Sequence, residues 1–245
     1  MNTQMNKSIK TKILNYQAGD IEVHGFLAQP ENPDKQAPAI LLVPMWKGRV
    51  EFIDNKAKEM AQRGMTALAV DLYGAGKIAA DNDEAGALMQ PLMDDREELH
   101  KRINAGFKAL SACQDVAADK IIAIGYCFGG LVVQDLARIN KDVAGIISVH
   151  GLFNKPQVTT PEYWQAKVLL LHGAKDPMVS DEDWLQLRDE MMQADCDWQK
   201  HDFGLAYHAF TTPGANDLDF GTVYDADAHR RSEQLITDFI AEISG

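Results

Sequence analysis

Cysteine is scarce in this chain, which carries only Cys113, Cys127 and Cys196 among 245 residues. They are odd in number, far apart, and contain no C-x-x-C pair. That excludes a disulfide framework or a vicinal redox centre and suits a reducing compartment. Positive charge is also short: 24 Lys and Arg stand against 36 Asp and Glu, a formal net charge of −12. A surface so acidic disfavours nucleic acid and anionic membranes as partners, but a small molecule needs only a local cation or two. No apolar run reaches membrane-spanning length, and Met1–Lys10 has no apolar core of a secretory signal. A soluble, cytoplasmic protein is expected. Repeats, low-complexity tracts and linkers are absent, so one domain is expected over 1–245. No pair of histidines, cysteines or acids has convincing metal-ligand spacing, and neither metal nor cofactor is expected.

What the chain does have is alternation. Short apolar runs occur at Ala39–Val43, Ala67–Val70, Ile121–Ile124, Gly145–Val149 and Val168–His172, and a last strand is expected at Trp198–Phe203. Between them lie helical patterns at Ile53–Arg63, Asp94–Ser111, Leu131–Asn140, Asp181–Gln193 and Asp227–Ile243. Continuously apolar strands alternating with helices imply a mostly parallel sheet covered on both faces, an α/β fold. Ile13–Tyr16 and Ile21–Ala28, joined by Ala18-Gly-Asp, read as an antiparallel hairpin at the sheet edge. The glycine- and alanine-rich stretch Leu72–Pro91 reads as a crossing near the carboxyl end of the sheet. Glu31–Pro38 reads as a loop, and Thr211–Asp225 has no assignable role.

One segment carries chemistry. Ile121-Ile-Ala-Ile-Gly125-Tyr126-Cys127-Phe128-Gly129-Gly130 takes an apolar strand through glycines into a helix, with a cysteine at the apex. This is the setting of a nucleophile elbow, G-x-S-x-G, with cysteine for serine. A thiol there meets the unpaired N–H groups and positive dipole end of a helix, which favour thiolate and can hold an oxyanion. The Phe128 N–H supplies one donor. A second is expected from Met45 or Trp46, in the loop that follows the Ala39–Val43 strand.

A thiol nucleophile benefits from a base, and the base from an orienting acid. In the α/β-hydrolase arrangement they follow in the order nucleophile, acid, histidine. Asp176, in His172-Gly-Ala-Lys-Asp176-Pro177, stands just past a buried strand, where a loop lifts a carboxylate to the sheet edge. His208, in Tyr207-His-Ala-Phe210, lies in a loop before the last helix. Its competitors have plainer readings. His150 and His172 end strands before glycine, where packing or a backbone hydrogen bond accounts for them. His201 lies inside a strand and His229 in a helix. Asp181 and Asp183 read as first-turn helix residues, and Cys113 and Cys196 as small buried hydrophobes.

Taken together, Asp71-Leu-Tyr-Gly74, the Cys127 elbow, His172-Gly-Ala-Lys-Asp-Pro177 and Tyr207-His-Ala-Phe210 resemble the dienelactone hydrolase family, from Gly25 to the final helix. The resemblance implies the α/β-hydrolase fold with Cys127 as nucleophile, Asp176 as orienting acid, His208 as base, and the N–H groups of Phe128 and Trp46 as oxyanion donors. It also marks departures. Family members place a glutamate where Met45 stands, and two substrate-binding arginines where Ala75 and Thr212 stand. Met45, Lys47, Arg49, Lys77 and Tyr126 are left as the substrate-contacting candidates. The expected activity is hydrolysis of a small ester or lactone through a thioacyl-enzyme. A thioesterase or broad carboxylesterase with the same triad, and a non-catalytic or redox module keeping the fold, are the alternatives.

Overall fold

The structure is a computed structural model that describes residues 8–156 and 164–245. The first seven residues of the Met1–Lys10 segment therefore lie outside the described residues. The chain forms two compact units, one running up to Ala123 and the other from Ile124 to Ile243.

The first unit opens with β1 (Ile9–Ala18) and β2 (Ile21–Pro30), antiparallel, with Ala18 paired to Ile21 across the two-residue turn Gly19-Asp20. The hairpin is longer at both ends than the apolar alternation suggests, because backbone pairing continues after the alternation stops. β2 pairs antiparallel with β4 (Ala67–Ala69), and β4 pairs parallel with β3 (Ala39–Val43). β3 and β4 are wholly buried. Helix α1 (Glu51–Gln62) presents Ile53, Ala57, Met60 and Ala61 to the core at helical spacing.

The middle of this unit holds two further helices, of which the first corrects the sequence reading and the second matches the helical pattern at Asp94–Ser111. The stretch Leu72–Pro91 is not all crossing loop: α2 (Asn82–Asp94) occupies its second half, and α3 (Arg96–Ser111) follows after one residue. The Asp81 side chain caps α2 by accepting from Glu84 N, and the Asp95 side chain caps α3 by accepting from Glu98 N. Pro91 sits inside α2, near its C-terminus, where it reads as a breaker although the helix runs three residues past it.

The second unit holds a parallel array. β6 (Gly145–Val149) pairs with β7 (Lys167–Gly173), and β7 with β8 (Trp198–Phe203). The last part of β5 (Ile121–Tyr126) leads into α4 (Phe128–Ile139). β5 and β6 are buried at every position, as strands covered on both faces must be. Helix α4 is buried from Phe128 through Arg138. It therefore brings Asp135 and Arg138 into the interior, where Arg138 pairs both with Asp135 and with Glu190 of α5 (Asp181–Gln193). α5 begins with a capping box between Ser180 and Asp183, in agreement with the first-turn role of Asp181 and Asp183. α6 (Ala226–Ser244) closes the chain. The segment Thr211–Asp225 is not shapeless: it contains a short hairpin, β9 (Asn216–Asp217) with β10 (Thr222–Val223). No helix among the described residues is long and apolar enough to cross a membrane.

Candidate active site

Cys127 caps the N-terminus of α4 with φ of 54° and ψ of −118°, a left-handed conformation that L-residues rarely adopt. Its backbone N–H donates to Val149 O at 3.0 Å, which pins the turn to the end of β6. Gly125 makes the turn possible: a Cβ there would lie 1.9 Å from Gly129 O. Cys127 is half-buried, and Phe128 is the first helical residue, whose N–H belongs to the set with no intrahelical acceptor.

Asp176 and His208 meet, as their positions after β7 and β8 allow. His208 Nδ1 lies 2.7 Å from Asp176 Oδ2, with both side chains buried. The other carboxylate oxygen accepts from Met178 N at 2.9 Å, so Asp176 is held from two directions. Lys175 N donates to Ala206 O and Ala174 N to Phe203 O, which ties the acid's loop to the histidine's loop.

The β9–β10 hairpin acts as a strap over the histidine. His208 N donates to Gly221 O, and Val223 N donates to His208 O, each at 3.0 Å. Gly221 has φ of +78°, and a Cβ on it would strike the Pro177 ring at 2.2 Å. The strap thus lies against the Asp176-Pro177 turn as well as against His208, a role that a run of small and polar residues does not announce in sequence.

The electrostatics of His208 follow from these neighbours. Burial alone would lower its pKa, but Cys127, followed by Asp176, outweighs burial and raises it from 6.5 to about 10. The ring's Nε2 is buried and has no nitrogen or oxygen partner. The carboxylate of Asp176 holds the ring through Nδ1, and the charge of the nearby Cys127 favours its protonated form. His208 is expected to remain protonated through neutral pH and to give up its proton near pH 10. Because the folded value lies above the unfolded one, the ring's own contribution to stability is complete below pH 6.5 and is lost as pH rises through about 10. Imidazole NMR across this range measures it. Cys127→Ala removes the largest raising influence, so the midpoint should move down; an unmoved midpoint would show that the thiol does not govern the ring.

The other cysteines have a different setting. Burial raises Cys113, whose Sγ donates to Ala109 O at 3.3 Å, and burial together with Asp197 pushes Cys196 up to about 12. Neither is poised as a thiolate near neutral pH.

Of the substrate-contacting candidates, Met45, Lys47, Arg49 and Lys77 belong to the first unit, as does Trp46, the expected second oxyanion donor. The Trp46 carbonyl accepts from the Tyr73 hydroxyl at 2.6 Å. Arg49 donates to Asp54 at 2.7 Å and to His24 O at 3.1 Å, so its charge is already engaged within that unit. Lys77 is exposed. Tyr126 is 1% exposed, and its ring lies 6.0 Å from that of His150, inside the second unit. No cluster of three metal-ligating side chains occurs among the described residues.

The family model for dienelactone hydrolases matches residues 23–244. A dienelactone hydrolase-like promiscuous phosphotriesterase from metagenomic libraries superposes with a TM-score of 0.90 at 30% identity, over 96% of this chain and 99% of its own. The dienelactone hydrolase of Anabaena variabilis shares the fold, with a TM-score of 0.65 at 19% identity over 96% and 98%. A candidate carboxymethylenebutenolidase of Yersinia pestis is 23% identical over 90% of this chain and 84% of its own. With its parallel array, its strand-to-helix elbow and a family match spanning nearly the whole sequence, the chain belongs to the dienelactone hydrolase family, carboxylic ester hydrolases on the α/β-hydrolase fold.

Proposed function

We propose that the protein hydrolyses small esters or lactones through a thioacyl-enzyme on Cys127. The observation that carries this reading is the buried His208, bonded to Asp176 at 2.7 Å and raised to about 10 chiefly by Cys127.

The thiolate attacks the acyl carbon, forming a C–S bond and pushing the carbonyl electrons onto oxygen. The Phe128 N–H receives that oxyanion; on the family resemblance, the Trp46 N–H is the second donor. As the carbonyl re-forms, the C–O bond to the leaving group breaks, and His208 gives its proton to the departing oxygen. Now neutral, His208 takes a proton from water, whose oxygen attacks the thioester carbon. Collapse expels the Cys127 thiolate and releases the acid, and His208 is again the imidazolium. Asp176 keeps Nδ1 protonated and turns Nε2 toward the reacting atoms. No step requires a metal or cofactor.

Lacking a glutamate at Met45, the site relies on His208 alone to hold the thiolate. With Ala75 and Thr212 in place of arginines, it suits esters whose acyl portion carries no charge. The test is intact-mass spectrometry after mixing with an activated aryl ester, with peptide mapping. An acyl adduct confined to Cys127 is expected, and an adduct elsewhere or none at all rejects the mechanism. A panel of lactones, oxyesters, acyl thioesters and a phosphotriester, the last prompted by the metagenomic relative, then ranks the substrate classes; thioester turnover far above oxyester turnover would favour a thioesterase instead.

A further inference from the structure

His150 is fully buried and has no part in the chemistry above, yet it touches both halves of the site. It directly follows β6, whose last residue, Val149, accepts the Cys127 N–H. Its ring lies 6.0 Å from that of Tyr126, the residue before the nucleophile. On the other side, it meets the turn that carries the base. The His150 and His208 rings cross edge-on at 5.2 Å, Phe210 meets His150 edge-on at 5.2 Å, and His150 Nε2 lies 2.8 Å from Thr211 Oγ1. One imidazole thus contacts three of the four residues from His208 to Thr211.

The backbone that presents it is strained and strongly held. His150 has φ of +40°, an uncommon value for a residue with a Cβ. Its N–H donates to Leu171 O at 2.8 Å, and the buried Gln134 side chain of α4 donates to Leu152 O at 2.9 Å. Strain of this kind persists only where the surroundings over-determine it. The ring also stays uncharged: burial lowers its pKa well below 6.5, and the positive forms of His208, His172 and His229 oppose its protonation further. A neutral imidazole can sit beside the His208 imidazolium without repelling it.

We infer that His150, through its hydrogen bond to Thr211, is a positioning residue that sets the separation of Cys127 and His208. This rests on the proposed thiolate–imidazolium pair. A thiol and its base must meet within hydrogen-bond reach, and displacement of about 1 Å costs up to about 100-fold in rate. The spacing between two loops on different strands must therefore be set by something that touches both, and His150 does.

The test uses the full-length protein and two readouts. One is the second-order rate of Cys127 alkylation by iodoacetamide at pH 7, mapped by peptide, with Cys113 and Cys196 as internal references. The other is kcat and KM for an activated aryl ester. Thr211→Val keeps the shape and removes the hydroxyl; Thr211→Ser keeps the hydroxyl. His150→Phe keeps a ring and removes both nitrogens. We expect Thr211→Val and His150→Phe each to lower the alkylation rate and kcat about tenfold with KM nearly unchanged. Thr211→Ser should restore both, and the double variant should be no worse than either single one. Unchanged alkylation in Thr211→Val, equal impairment in Thr211→Ser, or multiplicative losses in the double variant would overturn the inference. If His150→Phe does not fold, the two Thr211 variants decide the matter alone. A wild-type protein that fails to alkylate first at Cys127 would instead reject the thiolate mechanism.

Discussion

Replacing Cys127 with alanine is expected to abolish turnover of an activated aryl ester, by about 10⁴-fold or more, while leaving the fold in place. The size of the effect follows from the lack of a substitute nucleophile. Cys113 is kept protonated by burial in the first unit, and Cys196 is pushed up to about 12. His208 would lose its main raising influence and become at most a weak general base for water. The fold should survive because alanine occupies the same left-handed conformation at the same strain, φ of 54°, and only a half-buried sulfur is lost. The change in stability should stay within about 1 kcal/mol. Steady-state kinetics beside thermal denaturation measure the two halves of this prediction. Activity retained in a folded Cys127→Ala protein would remove the cysteine from the mechanism. Activity lost together with the melting transition would instead show that the elbow's contribution is structural.

The elbow was legible in the sequence because its determinants are local. Gly125, Cys127, Gly129 and Gly130 lie within six residues, and each is needed by the turn or the helix it starts. The continuously apolar strands were equally plain, with Ala39–Val43 and Gly145–Val149 falling where the pattern places them, and the more polar strand Trp198–Phe203 also stands where it is expected. Helix α2 was hidden by its composition. The glycine and alanine content of Leu72–Pro91 reads as a crossing, whereas the helix is set by its Asp81 cap and by Ala85 and Leu92 packing inward. The strap and the His150 contact were hidden for a different reason. The His150–Thr211 bond joins residues 61 apart, and the His208–Gly221 bond depends on a glycine whose neighbour, Pro177, lies on another loop. No periodicity records such pairings. A histidine that ends a strand before glycine has the same sequence appearance whether it merely packs or also holds a site together, and only the identity of what it touches separates the two.

Removal of Arg138 should be strongly damaging to stability. This arginine of α4 is 3% exposed and faces two carboxylates that are buried as completely. Its Nε and Nη2 bond Glu190 in a two-pronged contact at 2.9 Å each, and Nη1 bonds Asp135 at 2.9 Å. The face of Trp164 lies 5.0 Å from the guanidinium. Such a group need not stabilise the protein more than apolar residues of the same shape would, because bringing charges out of water is costly. Breaking it from one side is a different matter. Arg138→Met leaves two carboxylates facing each other in the interior with their shared cation gone, and removing one partner of a buried pair costs about 3–5 kcal/mol. In a chain of this length, that lowers the melting temperature by roughly 10 °C. Glu190→Gln should cost less, since the arginine keeps Asp135 and the amide oxygen still accepts one bond. The order of the two variants is the discriminating result. If the group is a stabilising ion pair of ordinary strength, the two losses should be similar; if the cost is that of stranded negative charge, Arg138→Met should be clearly worse. Thermal denaturation of both variants decides between them. The fraction that remains folded should keep its alkylation rate at Cys127, because the bonds of this ion cluster tie α4 to α5, about two turns or more from the Cys127 end of the helix.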